Sequence, residues 1–334
     1  MSTGAPDPAV LSADVGGTAI GVGVVTAAGE LHFASETPTH AGGPGSVLET
    51  LLARLGETQA RAAAAGLALL GCGIGVPGPV DAAAGQIGPD VPNLPGLAGC
   101  PLARLVTARI GLPTVLDNDV NALTVGEARF GVARGFRSFV LLALGTGVGG
   151  GIYLDGELVR GASGYGGELG HVTVQFEGRP CFCGSRGCLK AYVAGPDIAD
   201  QAREALAVRP ESQLAAMGGD PAALTARDVF AAAGAGDAVA GDVVARVCRA
   251  LGAGLGGILN GLNPEAIVLT GGVAHSLDAH LDDVRGWTRR YALPGAYEAA
   301  KVILVRHTKT TAIRGPAALF FHEMDRRGRQ RVRQ

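Results

Sequence analysis

Residues 139–154 read FVLLALGTGVGGGIYL: an apolar run, a glycine turn, a second apolar run. Residues 10–25, VLSADVGGTAIGVGVV, follow the same design. Small and β-branched residues dominate the arms, so each stretch reads as strand, turn, strand. Glycine turns let several backbone N–H groups point at one spot, because no Cβ intervenes, and phosphates need that arrangement. A third turn, TGGV at 270–273, follows the apolar EAIVL. A tight hairpin explains any one of these turns; three together, each after an apolar strand, indicate a nucleotide-binding α/β protein. Two common nucleotide motifs fail. A P-loop needs Gly-Lys before Ser or Thr, and the chain has no Gly-Lys pair. GTGVGG fits the dinucleotide pattern loosely, but that pattern opens a helix and this one runs into the strand-like GIYL.

Outward from these turns, helical spacing marks residues 46–65, 196–206 and 226–262. LLGCGIGVPGPVD (69–81) reads as a buried strand entering a Gly/Pro loop, and KVILV (301–305) as another strand. LPTVLDNDVNALTVGEARFG (112–131) reads as a strand entering a helix near Asn121. The two strand–glycine–strand units are the closest thing to an internal repeat. They suggest two similar α/β domains facing each other across a cleft. We place an N-terminal domain at 1–117, completed by a C-terminal helix at about 310–325, and a C-terminal domain at 118–309.

With 334 residues, 47% hydrophobic and 17% charged, the chain can bury the cores of two domains. A net charge of −2 gives no reason to expect nucleic-acid binding. MSTGAPDPAV lacks the basic start and apolar run of a signal peptide, and the most apolar window is too short and glycine-rich for a membrane span. The expected compartment is the cytoplasm, with no membrane partner. The terminal RRGRQRVRQ reads as a solvated, frayed tail.

Six cysteines occur, three of them clustered. His171, Cys181, Cys183 and Cys188 have the spacing H-x9-C-x-C-x4-C, with Gly184 and Gly187 allowing tight turns. Four N/S ligands suit tetrahedral Zn²⁺, and a closed set leaves no position for substrate, so the metal would be structural.

The motifs together resemble the ROK family of repressors, open reading frames and sugar kinases, over roughly residues 10–320. DVGGT matches its first phosphate loop, GTGVGGG its second and TGGV its adenosine contact. GIGVPGPVD, VPNLPG, DNDVNALTVGEARFG, LTARDVFAAAGAGDAVA and NPEAIVLTGGV are similar to further family segments. The resemblance implies two actin-like ATPase (ribonuclease H-like) domains with an interdomain cleft. It also implies ATP-dependent phosphorylation of a hexose, glucose first, with Mg²⁺ and structural Zn²⁺. It assigns the general base to Asp119, which would orient a sugar hydroxyl and take its proton; residue types alone read Asp117–Asp119 as a polar turn capping a helix. Gly75, Asn93, Asn118, Glu168 and His171 fall on the sugar side. Asp14, Gly16, Gly17, Thr18, Gly145, Thr146, Gly147, Gly149, Gly271 and Gly272 fall on the nucleotide side, Asp14 near Mg²⁺. Ala19 stands where many members carry Lys.

Lys190 is the departure that matters. Family kinases usually read GCLE here, the glutamate accepting bonds from sugar hydroxyls; this chain reads GCLK, and lysine accepts none. Three readings stay open: Lys190 points to solvent, it favours an electron-rich substrate group, or it marks a binder that turns sugar over poorly. Rivals to a glucose kinase are an N-acetylhexosamine (N-acetylmannosamine or N-acetylglucosamine) kinase and a non-catalytic sugar sensor. Only thirteen residues precede Asp14, too few for a helix-turn-helix module. A homodimer or homotetramer is implied by the resemblance alone.

Overall fold

The structure is a computed structural model that describes residues 7–333, except 42, 44, 45, 90, 92, 93 and 218–220. The chain divides into two compact units: Met1–Gly135, Glu157–Gly166 and His307–Gln334 in unit 1, and Phe136–Gly156 and Gly167–Arg306 in unit 2.

Unit 1 opens with an antiparallel meander, β1 (Ala9–Val15), β2 (Ala19–Thr26) and β3 (Leu31–Pro38). Helix α1 (Val47–Ala64) follows, burying Leu51, Leu55, Thr58 and Ala62 along one face. Strand β4 (Leu69–Val76) then pairs parallel with β1. A small hairpin, β5 (Val80–Asp81) and β6 (Gln86–Ile87), and helix α2 (Leu102–Ile110) precede β7 (Thr114–Asn118), which is parallel to β4 and runs into α3 (Asp119–Phe130). The sheet order is β3-β2-β1-β4-β7. β1 is covered on both faces, which is why its sequence is apolar without alternation.

Unit 2 repeats the plan. β8 (Phe139–Leu144) and β9 (Val148–Leu154) form the second hairpin, and β10 (Glu157–Leu158) begins the stretch that returns to unit 1. Then come α4 (Lys190–Val193), α5 (Gly195–Val208), α6 (Leu214–Met217), α7 (Ala226–Gly234) and α8 (Ala238–Leu262). β11 (Ala266–Thr270), α9 (Gly272–Ser276), α10 (Leu281–Tyr291), α11 (Pro294–Ala299) and β12 (Lys301–Leu304) complete it. β11 is parallel to β8 and β12 to β11, so β9-β8-β11-β12 reproduces β2-β1-β4-β7. The stretch 226–262 is two helices: Gly236 turns at φ +90° and Asp237 caps α8, accepting the Ala240 N–H at 2.8 Å.

The last helix, α12 (Lys309–Arg333), belongs to unit 1. Its approach to β4 is too close for side chains, and a Cβ on Gly73 would collide with the Pro316 carbonyl. The Ser12 hydroxyl donates to the Ile313 carbonyl at 2.5 Å. α3, placed by sequence after a boundary at 117/118, lies in unit 1, whose first segment ends at Gly135. Through Arg333 the arginine-rich stretch is helical and not frayed. It continues α12, with Arg326 paired to Glu323 and Arg329 to Glu157. No helix among the described residues is long and apolar enough to cross a membrane.

Candidate functional site

Parallel pairing of β1, β4 and β7 sets Asp14 beside Gly75 and Gly75 beside Asp117. Two residues on, Asp119 begins α3, its Oδ1 accepting the Val120 N–H at 2.8 Å. Gly75 packs close to Asp119, leaving 3.4 Å between a notional Cβ and the Asp119 Cα. The Asp14 carboxyl is pushed up to about 7, first by burial and then by the Asp119 charge. Two carboxylates that resist joint ionisation form a place for a cation or a moving proton.

Asn118 is the cap of α3. Its Oδ1 accepts the Val120 and Asn121 N–H groups at 2.8 and 3.2 Å, and its Nδ2 donates to the Gly78 carbonyl at 3.1 Å. Only part of its amide is left for a ligand. The first glycine turn is held by Thr39, whose hydroxyl donates to the Gly16 carbonyl at 2.6 Å and whose N–H donates to the Thr18 carbonyl at 3.0 Å. Gly17 and Thr18 are exposed. Asn93 lies outside the described residues.

In unit 2 a cavity of about 930 Å³ is lined by Gly145, Thr146 and Gly272, together with Gly195, Arg203 and Arg227. The second half of that set was not singled out from sequence. Its signal is positional: α5 starts at Gly195 and α7 at Ala226, so two helix N-termini border the cavity; at α5 the Gly195 N–H is taken by the Gly145 carbonyl and Pro196 has none, which leaves α7 as the terminus able to attract an anion. Gly147 and Gly149 shape the hairpin instead, the Gly147 carbonyl accepting the Gly145 N–H at 2.9 Å and Gly149 pairing with Ala143. Gly271 (φ +97°) stands against the Leu144 backbone, behind Gly272.

The four proposed metal ligands converge. His171 Nδ1 lies 3.6 Å from Cys181 Sγ, Cys183 Sγ lies 3.8 Å from Cys188 Sγ, and all four ligand atoms fall within 4.8 Å of one another. Bonds of about 2.3 Å to sulfur and about 2.0 Å to nitrogen give tetrahedral edges of about 3.5–3.8 Å. The donor set therefore fits Zn²⁺. Burial, then the neighbouring thiols, pushes Cys188 up to about 12, while bonding to the Ser185 backbone pulls Cys183 down; a dication would displace such protons. Glu168 is exposed just before this loop.

Lys190 does not point to solvent. Its Nζ lies 2.9 Å from Asp197 Oδ2, with the two side chains 16% and 15% exposed, and 4.8 Å from the Phe182 ring centroid.

Set against known proteins, residues 10–323 match the ROK family. The chain is 38% identical over 290 residues to a glucokinase from Halalkalibacterium halodurans, covering 86% of this chain and 87% of that one. It superposes on a ROK hexokinase from Thermus thermophilus with a TM-score of 0.80 at 32% identity, covering 95% and 99%. A ROK family glucokinase from Streptomyces griseus, in complex with glucose and AMPPNP, gives 0.73 at 32% identity, covering 93% and 98%. The two repeated units are the actin-like ATPase-fold domains of ROK sugar kinases. On the extent of these matches, this chain belongs to the ROK family.

Proposed function

We propose that the chain is an ATP-dependent hexose kinase that phosphorylates glucose at its 6-hydroxyl, with Asp119 as general base. The observation that carries this reading is the carboxylate pair of unit 1, Asp119 at the start of α3 and Asp14 raised to about 7 beside it. Asp119 accepts a hydrogen bond from the sugar hydroxyl, which orients the oxygen on the γ-phosphorus. As the P–O bond forms, the bond to the β,γ-bridging oxygen breaks, ADP leaves and the hydroxyl proton passes to Asp119. Mg²⁺, when bound near Asp14, offsets the phosphate charge.

In unit 2, Thr146 and the helix start at Ala226 line the cavity in which the nucleotide would sit, with Arg203 and Arg227 nearby. Glu168 and His171 hold sugar hydroxyls. One imidazole nitrogen would hold Zn²⁺ and leave the other for the sugar, so a bound metal would fix the ring's orientation.

The test is ADP release with Mg²⁺-ATP across glucose, mannose, fructose, N-acetylglucosamine, N-acetylmannosamine and no sugar, for the wild type and Asp119→Asn. Glucose-dependent turnover that falls by about 10²–10⁴-fold in the variant, with glucose binding retained, is expected. Turnover only with an N-acetylhexosamine would move the substrate. Silence with every sugar would point to a sugar-binding regulator, and near-normal turnover in Asp119→Asn would remove the base assignment.

A further inference from the structure

Lys190 sits where the family's kinases usually carry a sugar-binding glutamate, yet both sides of its ammonium are already engaged. On one side is Asp197, 2.9 Å away in the first turn of α5. On the other is Phe182, the residue between the ligands Cys181 and Cys183. The Phe182 ring in turn meets His171 edge-on, at 5.3 Å between centroids and 78° between planes. Asp197's own helix begins at Gly195, whose N–H donates to the Gly145 carbonyl at 2.8 Å, and Gly195 and Pro196 line the nucleotide cavity. A single cation thus connects the ring of a metal ligand to the rim of the nucleotide site.

We infer that Lys190 is a positioning residue acting jointly with Asp197, and that the carboxylate at 197 is what makes lysine rather than glutamate fit at 190. A glutamate at 190 would put a second carboxylate beside Asp197, in a position where both side chains are mostly covered. Like charges so placed repel with little screening. Position 190 therefore accepts Lys with Asp197, or Glu with a neutral residue at 197, but not Glu with Asp197. Lys190 does not bind sugar; it holds the His171 ring through Phe182, and that ring orients the sugar. The last clause rests on the kinase reading above, whereas the effect on the metal loop does not.

The test uses the full chain with Lys190→Glu, Asp197→Ala and the double variant. Two readouts are taken: the rate of Zn²⁺ release to a chromogenic chelator, and kcat and KM for the sugar that the wild type uses. Lys190→Glu should speed zinc release about tenfold and raise the sugar KM more than it lowers kcat. Asp197→Ala should fall between, and the double variant, which relieves the like-charge repulsion but not the lost contact with Phe182, should release zinc more slowly than Lys190→Glu and faster than the wild type. Additive effects of the two changes, or a Lys190→Glu protein that keeps its zinc as the wild type does, would overturn the inference. So would a wild type that retains no zinc. If the wild type phosphorylates nothing, the kinase reading fails while the zinc-release series still decides this one.

Discussion

Arg160 Nε donates to Asp117 Oδ2 at 2.6 Å, and the same guanidinium reaches Glu323 of α12 at 2.8 Å. Asp117 is 2% exposed, and its other oxygen accepts the Asn118 N–H at 2.7 Å and the Asn121 amide at 2.9 Å. This carboxylate immediately precedes Asn118 and Asp119, so Arg160 fixes the strand end that presents Asp119, the base we propose. Arg160→Met would leave Asp117 charged and buried without its cation. A loss of about 3 kcal/mol of stability is expected by denaturant unfolding, together with a drop in kcat larger than any rise in KM. Arg160→Lys keeps the charge but not the two-armed geometry, and should fall between. Unchanged unfolding in Arg160→Met would mean that this network does not hold the strand end.

The raised carboxyl of Asp14 gives a pH signature. Its value in the folded protein, about 7, lies above the ordinary 3.8. Between these two values the folded state keeps a proton that the unfolded state has released, so stability falls as pH rises through that window. The effect is at most about 4 kcal/mol by pH 8. Asp14→Asn, which cannot ionise, should flatten that part of the stability–pH curve and be the more stable protein at pH 8 in the absence of Mg²⁺ and nucleotide. Parallel curves for the two proteins from pH 4 to 8 would show that Asp14 ionises normally.

What sequence made visible was local. The glycine turns, the Cys–His spacing and the strand running into α3 each fall within about twenty consecutive residues, where turn chemistry and apolar periodicity act directly. Arg160, Asp117 and Glu323 meet across separations of 43 and 163 residues, and no local pattern announces such a contact. The return of the C-terminal helix to the first domain was expected, but the 157–166 segment, which comes from elsewhere in the chain to join unit 1, was not, for the same reason. Lys190 shows a subtler gap. Lysine is most often a solvated residue, and only the turn of chain from α4 into α5 reveals that Asp197, seven positions later, faces it. Likewise DND at 117–119 supported both a helix cap and a catalytic turn. The structure gives the cap to Asn118, with Asp119 at the first position of α3.

Gly271 and Gly272 are neighbours whose substitution should have opposite consequences. Gly271 adopts φ +97°, and a Cβ there would strike the Leu144 carbonyl oxygen. Gly271→Ala therefore combines backbone strain with a backbone collision, and should cost about 2–4 kcal/mol of stability. Gly272 has nothing within 4 Å of a notional Cβ and lines the unit 2 cavity. Gly272→Val should unfold like the wild type, because its side chain enters open space within the protein. That space is where we place the nucleotide, so the KM for ATP should rise roughly tenfold or more while sugar binding measured without ATP stays the same. Thermal unfolding and ATP titration of the two proteins separate a glycine required by the backbone from one required by the ligand. An unaltered ATP KM in Gly272→Val would place the nucleotide elsewhere in unit 2.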